Sequence, residues 1–135
     1  MIPTMSERDA QVMRDFPDLF GPTPTGGRAS PLCGGLAVGA GWMSLLLDLL
    51  VELRVVVAEE RLTPFRVHQV KEKFGTLRVY VSHAHPRVAA AIGRAEARAA
   101  STCEACGEAG RLRTDRAHVQ TLCDRHAASR RTERG

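Results

Sequence analysis

Four residues near the carboxyl end carry the chain's clearest chemistry. Cys103 and Cys106 form a Cys-x-x-Cys, and after sixteen intervening residues Cys123 and His126 form a Cys-x-x-His. A two-residue gap lets both ligands of a pair reach one ion, and the segment between the pairs is long enough for a hairpin that returns the second pair to the first. Three thiolates and one imidazole make a closed tetrahedral shell, the donor set of a structural Zn²⁺; a catalytic ion keeps a position open and uses fewer thiolates. Such a site adds on the order of 10 kcal/mol to folding.

Other candidate ligands and nucleophiles are poorer. Cys33 could replace His126 in an all-thiolate site, but it has no paired ligand and sits among glycines and prolines. His118 lies where a His-metal nuclease would carry catalytic groups, yet Ala127, Ala128 and Ser129 supply none of the further ligands that such a helix needs. His83 and His85 form a His-x-His without a nearby carboxylate pair or third histidine. The glycines from Gly34 to Gly41 lack the Gly-Lys-Ser/Thr ending of a phosphate cradle, and no Gly-x-Ser-x-Gly or paired acid motif appears. A protein that is not an enzyme is expected.

The elements around the ligands follow from pattern. Gly107 permits the knuckle turn that aims backbone amides at the sulfurs. Arg111 to Arg113 and Ala117 to Thr121 read as strands turning near Thr114 to Arg116. Cys123 to Arg131 reads as a helix with two ligands on its first turn. Knuckle, hairpin and helix make a treble-clef-like module over 102–135.

Ahead of it, 42–101 reads as an α-β-β-α body. Trp42 to Arg61 is helical and apolar almost all round, so it must be buried against the sheet and a second helix, or a partner; a homodimer through 42–61 is one such arrangement. Pro64 to Lys71 and Thr76 to Ser82 read as strands joined through Glu72, Lys73, Phe74 and Gly75. Pro86 opens a helix running to about Ala100. Residues 1–41 hold a short helix, Glu7 to Phe16, started by Ser6, and then a Pro/Gly-rich loop, with Phe16, Leu19 and Phe20 placed to reach the core. The fold class is α+β.

Alternation along the two strands turns Phe65, Val67, Leu77, Val79 and Val81 inward and Arg66, His68, Arg78 and Tyr80 outward. Basic groups beside an aromatic on a sheet can hold nucleic acid by phosphate contact and base stacking. The charge agrees. Residues 1–60 hold four arginines against eight acids and the remainder carries a net +8, within a total of +4. That asymmetry implies either an anionic partner for the second half or two halves that attract one another. Arg66, Lys71, Lys73, Arg78, Tyr80, Arg111, Arg113 and Arg116 are the candidate contacts for nucleic acid or for an acidic protein surface. Aromatics are only 4% of the chain, so its core rests on Leu, Val and Ala, and a staple such as zinc is expected. The longest uncharged stretch, Ala29 to Leu47, is broken by four glycines, and a spanning helix needs about 20 apolar residues. No membrane segment or export signal is read, and a cytoplasmic setting is expected.

Three motifs resemble a family of small uncharacterised proteins from bacteria, phages and prophages. They are the run Val70-Lys71-Glu72-Lys73-Phe74-Gly75-Thr76-Leu77-Arg78, then Thr102-Cys103-Glu104-Ala105-Cys106-Gly107, then Thr121-Leu122-Cys123-Asp124-Arg125-His126. Gly41-Trp42 also fits the pattern, and the resemblance covers roughly residues 41–128. The chain departs from it in two places. Ala117-His118 stands where the family tends to have Gly-Trp, and Cys33 lies eight residues ahead of Gly41 rather than close before it. The resemblance implies a zinc-binding tail and names no activity. Its phage association implies action on host or phage macromolecules, for example as an inhibitor of a defence system.

Overall fold

The computed structural model describes residues 6–21 and 36–134, with side chains to Ser129. Cys33 and most of the Pro/Gly-rich loop lie outside the described residues.

Helix α1 (Glu7–Asp15) starts where Ser6 accepts the Asp9 amide at 3.1 Å, and α2 (Pro17–Phe20) follows at once. Phe16, Leu19 and Phe20 are buried in the main core. Strand β1 (Leu36–Ala37), hidden within what reads as loop, adds a third strand that pattern alone does not reveal. It pairs parallel to β2 (Val67–Lys73), which pairs antiparallel to β3 (Thr76–Val81), in the order β1-β2-β3. So short a strand needs help at its far edge. The buried Asp9 carboxylate accepts the Leu36 amide at 2.9 Å, while Arg8 donates to the carbonyls of Leu36 and Val38, both at 3.1 Å. The pairing of Arg8 with Asp9 at 2.9 Å balances the buried charge.

A 3₁₀ turn, Ala40–Trp42, leads into α3 (Met43–Glu60). After β3 comes α4 (Pro86–Ala99), whose amide at Arg87 is capped by His85 Nδ1 at 3.1 Å. Helices α3 and α4 cover the inner face of the sheet, where Leu46, Leu50, Leu53, Val70, Leu77 and Val88 are buried with Trp42. The acidic stripe of α3 faces the basic one of α4: Asp48 with Arg98 at 2.7 Å, Glu52 with Arg94, and Glu59 and Glu60 with Arg87, each at 2.9 Å. Part of the charge asymmetry is therefore internal attraction between the halves. Leu47, Val51 and Val55 remain exposed on α3.

The hairpin differs from its sequence reading in its first strand, which starts at Val67 rather than Pro64, in its turn and in its register. Its turn is two residues, Phe74 and Gly75, at φ 52° and 81°, the two positive values of a type I′ turn; Glu72 and Lys73 belong to the strand. A bulge at His68 shifts the register between Val67 and Gln69. Val67 and Val70 thus both point inward, which strict alternation forbids, and Gln69, Lys71 and Lys73 join Arg78 and Tyr80 on the outer side. The tail forms β4 (Arg111–Arg113), β5 (Gln120–Leu122) and α5 (Asp124–Arg134). Among the described residues no helix is long and apolar enough to cross a membrane.

Candidate metal centre

The knuckle from Cys103 to Cys106 closes through Gly107, whose φ of +85° suits a residue without a Cβ, and whose amide donates to the Cys103 carbonyl at 2.9 Å. Cys103 N donates to Glu108 O at 2.7 Å and Gly110 N to Ser101 O at 3.0 Å, completing the loop. Strands β4 and β5 then carry the chain back. Cys123 stands immediately before α5 and His126 lies within its first turn. The knuckle, hairpin and helix follow in treble-clef order.

All four ligand atoms lie within 4.8 Å of one another. Cys106 Sγ and Cys123 Sγ are 3.8 Å apart, and His126 Nδ1 is 3.8 Å from Cys103 Sγ and 3.3 Å from Cys123 Sγ. A tetrahedral ion with zinc's bond lengths has edges of about 3.8 Å between sulfurs and about 3.5 Å from sulfur to nitrogen. The cluster is therefore dimensioned to hold a metal ion, with Nδ1 as the imidazole donor. Burial opposes ionisation of Cys103, but the backbone amides of Cys123, Cys106 and Ala105 outweigh it and hold that thiol below its ordinary range. For Cys106 the Glu108 amide favours the thiolate, yet burial and the neighbouring Cys103 and Cys123 sulfurs together push the thiol up. A cation at the centre would relieve that crowding of like charges.

The centre is clamped to the body at two places. On one side the Gly41 amide donates to Glu104 O at 2.7 Å, the Gly39 amide to a Glu104 carboxylate oxygen at 2.9 Å, and Trp42 Nε1 to Thr102 O at 2.8 Å. On the other, Thr121 Oγ1 donates to Gly75 O at 2.7 Å and Leu112 packs against Gly75. Glu72 accepts the Gly75 amide at 2.5 Å and its second oxygen lies 3.8 Å from His118 Nε2. The motif residues Gly41, Trp42, Glu72, Gly75, Glu104 and Thr121 thus meet where body and module join. Trp42 and Glu104 are contributors to the centre that ligand spacing could not reveal.

The candidate contacts divide sharply. Lys71, Lys73, Arg78 and Tyr80 share the outer sheet face, and neither lysine nor Arg78 has an acidic partner among the described residues. Lys71 Nζ stands 5.9 Å from the Tyr80 ring centroid, and Lys73 Nζ 5.9 Å from that of Phe74. Phe74 is 73% exposed, the most exposed large apolar side chain described; at the sequence level it reads as a turn residue only. Arg111 is exposed on β4. Arg113 and Arg116 turn into the module. Arg113 donates to Leu122 O at 3.0 Å and to Asp124 at 2.7 Å, and Arg116 donates to Ala127 O at 3.0 Å. Arg66 folds back onto Phe65 O at 2.6 Å and lies against Gly21. His83 stacks on Phe65 and bonds Ser82, while His85 caps α4 and approaches Glu60 at 3.4 Å, so the two histidines serve separate structural roles.

Fold and site together define an α+β protein with a treble-clef-like Cys₃His centre. Comparison with family models, with curated proteins and with solved structures found no match.

Proposed function

We propose that this protein is a non-enzymatic nucleic-acid-binding module whose carboxyl-terminal centre holds a structural Zn²⁺. The observation that carries the reading is the contrast between two sets of cations. Arg87, Arg94 and Arg98 on α4 are neutralised by α3, whereas Lys71, Lys73 and Arg78 stand on the outer sheet face with no acidic partner among the described residues. Cations left unpaired in this way, with Tyr80 among them, are complementary to a phosphate backbone. Four protein ligands at tetrahedral spacing leave no open position for a substrate, which supports a structural ion over a catalytic one. Three cysteines gathered as candidate metal ligands suit a reducing, cytoplasmic setting.

Phosphate-dominated binding weakens steeply with salt. In a titration at about 50 and 200 mM salt, the full chain should bind DNA or RNA oligonucleotides at least about tenfold more weakly at the higher salt, if three phosphates are engaged. Lys71→Ala with Arg78→Ala should flatten that slope. Absence of binding at low salt refutes the reading.

The exposed row Leu47, Val51 and Val55 favours a second reading, in which α3 docks a partner protein or a second copy of the chain. If the resemblance to phage and prophage proteins holds, an inhibitor of host machinery is one form of that reading. Stoichiometric recovery of a protein partner that survives nuclease treatment, lost on Val51→Glu, would favour it over the first.

A further inference from the structure

We infer that the ligand of the outer sheet face is an unpaired nucleic-acid strand, its bases stacking on Phe74 and Tyr80 and its phosphates meeting Lys71, Lys73 and Arg78. The inference rests on the nucleic-acid reading above and specifies its substrate class.

Three observations carry it. The first is repetition: an exposed ring with a lysine ammonium 5.9 Å from its centroid occurs twice, at Tyr80 with Lys71 on the outer face and at Phe74 with Lys73 in the turn at its end. A ring for a base and an adjacent cation for its phosphate are what a single strand requires at each step. A duplex buries its base faces in its own stack and offers no face to either ring.

The second is the open geometry. The inner face of β2 and β3 is covered by α3 and α4, the free edge of β2 is taken by β1, and the turn is held by Thr121 and Leu112. The hairpin is therefore not a free ribbon that could enter a groove about 12 Å wide. What it leaves open, among the described residues, is the outer face and the far edge of β3. Tyr80 and Thr76 are four residues apart on β3, about 13 Å along the strand, and Phe74 stands one step beyond. A run on the order of four nucleotides fits that length, the low end of known single-strand site sizes.

The third is a conflict between fold and side chain. Phe74 occupies a φ of 52° in a type I′ turn, a position where Asn, Asp or Gly is at ease and a bulky residue is strained. Folding alone favours replacement, and at 73% exposure the ring contributes almost nothing to the core. A strained, solvated aromatic beside unpaired cations has the character of a binding residue.

The test uses the full chain, fluorescence anisotropy, a labelled dT12 strand and a 12-base-pair duplex at one salt concentration. The strand is expected to bind at least about tenfold more tightly than the duplex. Phe74→Asn should raise the melting temperature while weakening dT12 about tenfold, with duplex affinity unchanged; Tyr80→Leu should weaken dT12 by a similar factor. In the parent chain, 2-aminopurine within the strand should lose fluorescence on binding, a readout that needs no variant. Duplex binding as tight as dT12, or unaltered dT12 affinity in both variants, overturns the single-strand inference and leaves the nucleic-acid reading standing. Failure to bind either probe removes both.

Discussion

Trp42 donates its indole N–H to the backbone carbonyl of Thr102 at 2.8 Å, tying the start of α3 to the residue before the first metal ligand. Trp42 is wholly buried, so its indole donor has no water as an alternative. The hydrophobic core and the metal knuckle are consequently parts of one cooperative structure. Replacing Trp42 with Phe keeps much of the volume and deletes the donor; it should cost about 2–4 kcal/mol in denaturant unfolding, summing a cavity and a lost hydrogen bond.

Gly41 is the closest approach of body to knuckle. A Cβ there would collide with Cys103 O, with Gly107 N at 2.5 Å and with Cys106 N at 2.7 Å, all of them backbone. Gly41→Ala should destabilise by about 1–3 kcal/mol and shorten metal retention under chelator challenge. Gly93→Ala is the opposite case: it lies within α4 with no atom within 4 Å of the added carbon, and should stabilise by about 0.5–1 kcal/mol. Equal effects in the two variants would contradict the clamp.

Elemental analysis of the chain should return one zinc per molecule, released on Cys106→Ala or by a strong chelator with cooperative loss of the tail. Cys33→Ala should keep its metal, since Cys103, Cys106, Cys123 and His126 already make four ligands within 4.8 Å. Equal metal loss in both variants would move the fourth ligand from His126 to Cys33. Acid should release the ion as well, because protons compete for the thiolates and imidazole.

The Arg87 hydrogen bond to Glu60 holds that carboxyl below the usual carboxylate range; burial pushes the other way, and the charges of His85 and Arg87 assist the lowering. A depressed folded value means the unfolded chain takes up the proton first. The contribution is complete at neutral pH and fades as pH falls below about 5 through the depressed value. Glu60→Gln should flatten the acid limb of stability against pH in this region and leave the profile above it unchanged. An unaltered acid limb would show that the pair is too well solvated to matter.

Some residues announce their role through chemistry that depends on near neighbours. Cys103, Cys106, Cys123 and His126 are legible because a two-residue gap and a hairpin's length are local geometric facts. Helix α4 is legible because Pro86 starts it and its apolar stripe has a period of 3.6. The positions of Phe16, Leu19 and Phe20 in the core follow in the same way from three large apolar groups set together.

Long-range closure is different in kind. Strand β1 is two residues long and exists because Val70, Lys71, Arg8 and Asp9 complete its hydrogen bonds across more than 25 positions of sequence. The bulge at His68 depends on where β2 must meet β3, and it decides that Lys71 and Lys73 share a face with Arg78. Arg113 and Arg116 look no different in sequence from Arg111, yet carbonyls brought near by folding claim them. Local spacing and periodicity specified the ligand set, the helices and the fold class, because these depend on neighbours along the chain. Only tertiary packing chose which cations lack an acidic partner among the described residues and joined Gly41 and Trp42 to the knuckle, because those outcomes depend on partners that sequence distance conceals.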